Sequence, residues 1–365
     1  MRPRSYLFST VAALGLVLVA SAAMESCVLP QYEVGSLPDA GSDAPEVPAC
    51  GKTYPDPPGG GDSPLNNTLV MAIHSIDMGE GATTPPGYDL DHQCTCVNDA
   101  GPTCVPRVPN CDAPDGVDNA AAKLINLVAT ATGGGMFGSS YFSALANNGS
   151  WTLLIQVSGY NGMANDPEVD VALFASPGRM GNLPKWDGTD AWPVSATSVM
   201  DGDVTKPLVV SAGAYVANNV LVAAIPSVAF TISGMNERIT ITMTAGVLTG
   251  TLQSQGNGWH IADGIIAARW HEPDIFTALS SYRNNSGKPF CTDAVISYPT
   301  AKATICNSLD ILKDGSGPKS LPCDSLSMGI GFKADPALLG VATLPPAPTP
   351  GCPMATDPQF DNCDK

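Results

Sequence analysis

Ile239-Thr-Ile-Thr-Met-Thr244 alternates apolar and hydroxyl side chains with a period of two, and Trp151-Thr-Leu-Leu-Ile-Gln-Val157 carries a similar pattern. Successive side chains of a strand point to opposite faces, so this alternation puts one face in a core and the other toward water. Both segments read as half-buried antiparallel strands. Ile261–Trp270 adds another around Gly264. Asn218-Asn219, between Ala214–Ala217 and Val220–Ala224, reads as a two-residue hairpin turn, because Asn tolerates positive φ. Ala245-Gly246 reads as the turn of the next hairpin.

Helical signals are fewer. Asn119–Thr132 has Ala, Lys, Leu and Ile in helical rhythm, with Asp118 as N-cap and Gly133 as the stop. Shorter helices are expected over Pro273–Tyr282 and near Ala301–Leu312. The fold expected is mainly β: an antiparallel β-sandwich with a few peripheral helices and several disulfides. Gly 37 and Pro 33 in 365 residues, against 14% charged residues, fit a β protein with many turns. Asp outnumbers Glu 27 to 7, which favours ordered loops over acidic helices. The net charge of −17 repels nucleic acid and anionic membrane surfaces, so neither is an expected partner.

The N-terminus carries a second message. Arg2 and Arg4 precede an apolar run from Val11 to Ala20 and the small residues Ser21, Ala22 and Ala23. This is the three-part pattern of a secretory signal peptide, and the run is too short to span a bilayer. Cleavage after Ala22 or Ala23 would release a freely secreted protein. The alternative rests on Met24-Glu25-Ser26-Cys27, which resembles the lipobox of bacterial lipoproteins, with Glu25 where that pattern has a small residue. The resemblance implies lipid on Cys27, a signal peptide over 1–26, and membrane attachment through the N-terminal lipid only. Residues 27–64 are rich in Pro, Gly, Asp and Ala and read as an extended tether. The composition is similar to that of tethers in myxobacterial lipoproteins. Residues 65–342 form the expected β-sandwich domain, and 343–365 a Pro-rich, Cys-containing tail.

After Cys27, ten cysteines remain: Cys50, Cys94, Cys96, Cys104, Cys111, Cys291, Cys306, Cys323, Cys352 and Cys363. Outside the cytoplasm they are expected to close as disulfides, with pairing inside each sequence cluster. Cys94, Cys96, Cys104, Cys111 and His92 offer zinc-type ligands, but without the C-x2-C knuckles of structural zinc sites. Asp112-Ala-Pro-Asp115-Gly116-Val-Asp118-Asn119 resembles calcium loops, in which carboxylates recur around a Gly that permits a tight turn. The resemblance implies calcium held by Asp112, Asp115 and Asp118, with Asp89 and Asp91 contributing if cross-links fold Tyr88–His92 back. The competing reading is turn and N-cap chemistry.

Signals for catalysis are weak. Gly61-Asp62-Ser63 resembles the GDS motif of one esterase class, but Ser63 follows Pro57-Pro-Gly-Gly-Gly61, not a strand. No G-x-S-x-G elbow or H-E-x-x-H helix occurs. Trp186 and Trp192 flank Asp-Gly-Thr-Asp-Ala and present two indoles that could stack on a sugar face. The competing reading makes them plugs at the sheet edge. The sequence therefore points to a cell-surface or envelope lipoprotein with a non-catalytic binding or structural role. Its ligand would be a surface carbohydrate or protein. A secreted carbohydrate-active enzyme or lectin-like module is the alternative.

Overall fold

The computed structural model describes residues 51–60, 67–96, 100–131, 138–179, 182–233, 238–256, 258–284, 286–292, 297–315, 317–344 and 351–364. The chain divides into two units, Met1–Glu46 and Val47–Lys365. The first lies outside the described residues, as do Cys50, Ser63 and Gly133. The segment read as a signal peptide (residues 1–26) and Cys27 fall in that first unit.

The described strands are β1 (Asn67–Asp77), β2 (Thr152–Tyr160), β3 (Asp166–Ser176), β4 (Ala191–Ser195), β5 (Val209–Ala217), β6 (Val220–Ser233), β7 (Arg238–Gln255), β8 (Gly258–His271), β9 (Ser325–Pro336) and β10 (Leu338–Thr343). The mainly β, antiparallel character with few helices and several disulfides is what the chain adopts. Eight strands form one closed barrel in the order β1-β2-β3-β5-β6-β7-β8-β9, while β4 and β10 make a small parallel sheet. The two layers expected of a sandwich are thus opposite walls of one sheet. Met71 closes it, standing opposite Ile155 of β2 on one side and Pro336 of β9 on the other.

Eight strands leave an interior just wide enough for side chains to fill. One continuous buried cluster takes Ile73, Ile155, Leu173, Val216, Leu221, Leu248, Ile266 and Ile330 from the barrel strands and continues into the helices. Gly264 has a specific task. A Cβ there would lie 2.3 Å from the Phe332 ring, so the missing side chain makes room for the aromatic one.

Asn218 and Asn219 turn between β5 and β6 at φ 53° and 67°, as the hairpin reading expects. Ala245-Gly246 does not turn a hairpin; β7 runs straight through it. Thr244 pairs with Arg269 and Val247 with Ala267, so one extra residue is accommodated as a bulge, with Ala245 at φ 46°. The bulge exchanges the two faces of the strand. Ile239, Ile241 and Met243 lie in the core before it, and Leu248 and Leu252 after it. On β6, Ile225 and Val228 show the same exchange around Pro226.

Four helices are described: α1 (Ala120–Ala131), α2 (Ser139–Asn147), α3 (Glu272–Ser281) and α4 (Tyr298–Ser308). α2 docks on β1, where the hydroxyls of Ser143 and Ser139 accept from the backbone N–H of Ile76 and Met78. The cap of α1 is Asn119, not Asp118. Asn119 Oδ1 accepts from Ala122 N at 3.0 Å, and its Nδ2 donates to the carbonyls of Pro86 and Gly329. Asp118 is left available for other partners.

Two smaller clusters cover the outside of the barrel. Ala72, Leu154, Phe174, Trp192 and Val194 pack under β4 and β10, and Tyr88 packs with Val222, Val247 and Ala267. Four disulfides are described: Cys96–Cys111, Cys104–Cys323, Cys291–Cys352 and Cys306–Cys363. Cys94 is disulfide-bonded as well. Only Cys96–Cys111 joins members of one sequence cluster; the other three cross between clusters because the fold brings distant segments together. The C-terminal tail is therefore stapled to the body. The body also begins earlier than residue 65: Lys52 N donates to Asp115 O at 2.6 Å, and Tyr215 donates its hydroxyl hydrogen to Pro55 O.

Asp190 organises the turn before β4. Its buried carboxylate pairs with Arg179 at 2.6 Å and accepts from the backbone N–H of Lys185 and Trp186. Removing one partner of a buried pair leaves the other charge uncompensated. Asp190→Ala should cost about 3–5 kcal/mol in denaturant unfolding. A loss below about 1 kcal/mol, the range of exposed pairs, would contradict this account.

Candidate metal centre

Residues 86–96 and 100–119 form two arms against the outer face of the barrel, and their anchors explain where the acidic side chains go. Tyr88 donates to or accepts from Thr249 of β7 through its hydroxyl at 2.8 Å. The Arg269 guanidinium of β8 donates to Leu90 O at 2.6 Å and to Ala245 O, the bulge carbonyl, at 3.0 Å. Asp118 N donates to Tyr88 O, which lays the two arms of the loop side by side. The Cys96–Cys111 disulfide holds the arms together, and Cys104–Cys323 ties the loop to the segment that enters β9.

This arrangement brings Asp89, Asp91 and Asp118 together, with one carboxylate oxygen of each within 4.8 Å of the others. Asp89 and Asp118 are buried and Asp91 is half-buried. Asp118 Oδ2 accepts from the N–H of Leu90 at 2.6 Å and of Asp91 at 3.2 Å. Asp91 accepts from Gln93 N and the Thr103 hydroxyl, and Asp89 from Gln93 N at 3.1 Å. Gly51 closes the site from behind. A Cβ there would lie 1.8 Å from Asp89 Oδ2, so only a glycine admits that carboxylate.

Two more carboxylates stand close. Asp112 accepts from Thr95 N, and Asp310 accepts from the N–H and hydroxyl of Ser327 at 2.8 and 2.6 Å. Burial, reinforced by the charges of Asp91, Asp310 and Asp112, pushes Asp118 up to about 9. Burial raises Asp112 to about 7 against the opposing hydrogen bond from Thr95, and Asp310 to about 6 against those from Ser327. Asp89 is raised as well, by burial and then by Asp91. Arg269 is buried beside them, and its Nε has no hydrogen-bond partner among the described residues. The result is a pocket of carboxyls that binds protons tightly because too many negative charges share too little water. A hard divalent cation takes 6–8 oxygen ligands and relieves that same excess charge.

Of the five residues read from sequence, Asp89, Asp91 and Asp118 converge and Asp112 stands beside them. Asp115 does not join: it is exposed at φ 62°, and its backbone carbonyl, not its carboxylate, is used, accepting from Lys52 N. Asp310, Arg269 and Gly51 were missed, since each approaches from a remote part of the chain. Trp192 is fully buried and so offers no platform. Trp186 is half-buried, its ring tilted against those of Trp192 at 5.5 Å and His74 at 5.3 Å. His260 Nδ1 lies 2.7 Å and His74 Nε2 3.4 Å from Asp335, an outer-face trio without a nucleophile read from the sequence. Cys94, Cys96, Cys104 and Cys111 are disulfide-bonded, as expected, and so offer no thiolate to zinc.

No family model matches this chain, and neither a curated protein nor a solved structure is significantly similar to it.

The raised carboxyls set a pH dependence. Between the ordinary carboxylate range and the raised values, the folded state holds protons that the unfolded state has released, so stability falls as pH rises. With divalent cations removed, the melting temperature should fall from about pH 5 to about pH 9. Asp118→Asn, which keeps the hydrogen bonds without the charge, should fall less steeply. Parallel pH profiles for the two proteins would contradict the assignment.

Proposed function

We propose that the chain is an exported envelope lipoprotein, anchored through lipid on Cys27, whose cross-linked β-barrel has a non-catalytic binding or structural role. We further assign calcium to Asp89, Asp91 and Asp118, with Asp112 at the margin. The observation that carries the cation assignment is the convergence of three carboxylates within 4.8 Å, two of them buried, on a loop held by two disulfides. Cross-links made before metal arrives lower the ordering cost of binding. Extracellular calcium modules bind at about 10⁻⁴–10⁻³ M, so high affinity is not required.

Several features support the cell-envelope setting. Disulfides persist in oxidising compartments. Among the described residues no helix is long and apolar enough to cross a membrane. The barrel's buried cluster is apolar, whereas membrane barrels carry a polar interior. Attachment through N-terminal lipid accords with both points. Calcium at millimolar concentration should raise the melting temperature of the wild type and leave Asp89→Asn, Asp118→Asn unmoved. Equal melting of wild type in calcium and in chelator would remove the cation. Cys27→Ser should move the protein from the membrane fraction to the soluble fraction, and a mature N-terminus at Ala23 or Met24 would exclude the anchor.

The alternative, a carbohydrate-active enzyme, draws on one observation. Asp112 and Asp310 line a cavity of about 260 Å³ together with Lys123 and Asn126. Two carboxyls at about 7 and about 6 in a cavity meet the pKa requirement for general acid–base work near neutral pH. Glycoside hydrolysis lost in both Asp112→Asn and Asp310→Asn would establish that reading in place of the first.

A further inference from the structure

The core beneath the helices contains a second cavity, of about 250 Å³, and it is unlike the first. Leu124 of α1, Ile241 of β7, Trp270 of β8, Ile275 of α3, and Ala301 and Ile305 of α4 form its wall, and no polar atom reaches its surface. One side opens toward solvent, where Leu127 of α1 is half exposed. The hydroxyls of Thr300 and Thr304 at the same helix are engaged locally, with Ser297 and the Thr300 carbonyl.

Protein interiors are packed so closely that voids much larger than a water are few, and an empty void forfeits the dispersion contacts of its lining. The barrel interior obeys this rule, filled by Ile155, Leu173, Leu248 and their neighbours. The void therefore does not reflect a loose core. Water is a poor occupant, because it needs two to four polar partners and the wall supplies none. A dry cavity of about 150 Å³ accommodates benzene, so on that scale this one takes roughly ten carbon atoms.

We propose that this cavity is a binding site for a free single-chain amphiphile, with an alkyl chain of roughly eight to ten carbons in the cavity and its polar end at the open side. The wall excludes polar ligands, since any buried donor or acceptor would be left unpaired. The opening lets a head group keep its water. The site is separate from the cation site and does not depend on it.

Calorimetric titration of the oxidised protein with decan-1-ol tests the proposal. One saturable site is expected. Each pair of methylenes removed from the alcohol should weaken binding roughly fifteenfold, given ~0.8 kcal/mol per buried CH₂. Ala301→Trp, which fills the wall, should weaken decan-1-ol at least tenfold while circular dichroism stays unchanged, and Thr304→Phe should do so from the open side. No saturable heat, affinity independent of chain length, or wild-type affinity in both variants would overturn it. If the variants do not fold, the chain-length series on the wild type decides alone.

Discussion

The pairing of β1 with β9 is the constraint on which the rest of the molecule depends. Six other barrel strands and two-thirds of the chain lie between them, and their contact turns a curved sheet into a closed barrel. Closure removes both sheet edges and lets the interior fill with the barrel's own aliphatic side chains. It also forces every other segment to the outside. The loop of residues 86–119, the β4–β10 pair and the four helices each pack against an outer wall or an end, and the candidate sites lie in those outer layers.

The acidic loop shows how such a layer becomes a site. A segment with few apolar residues cannot hold itself in place, so it is held by Tyr88 on the barrel wall, by Arg269 through backbone carbonyls and by two disulfides. These anchors impose a cost, first the burial of carboxylates away from water and then their mutual crowding. The folded state carries that cost as raised affinities for protons at Asp112, Asp118 and Asp310. A cation bound in the proposed site would compete with protons for the same excess charge, which would link calcium affinity to pH through one cluster.

Local pattern made a large part of this legible. Alternation found the strands at Trp151, Ile239 and Ile261; the Asn218-Asn219 turn and the position of α1 followed from residue chemistry; and the acidic stretch was read as a group. What stayed hidden was set by contacts remote in sequence. Ala245-Gly246 has turn composition but sits in a bulge, because β8 supplies a partner on both sides of it. Asp118 reads as a cap until Asn119, held by Gly329 and Pro86, takes that role. Asp310 lies nearly two hundred residues from Asp118, and no local signal connects them. α2 went unread since its short apolar stretch is fixed by hydroxyl contacts to β1.

The central claim is that the cross-linked loop is built to hold a divalent cation, and direct binding tests it best. Calcium titrated calorimetrically into oxidised, metal-free protein near neutral pH should give one saturable site and release protons, measured as a heat that depends on the buffer's ionisation enthalpy. Stoichiometric binding whose proton release is smaller in Asp118→Asn is the result expected. No binding at millimolar calcium, or binding unchanged in Asp118→Asn, would leave these carboxyls as structural groups of the loop and contradict the account.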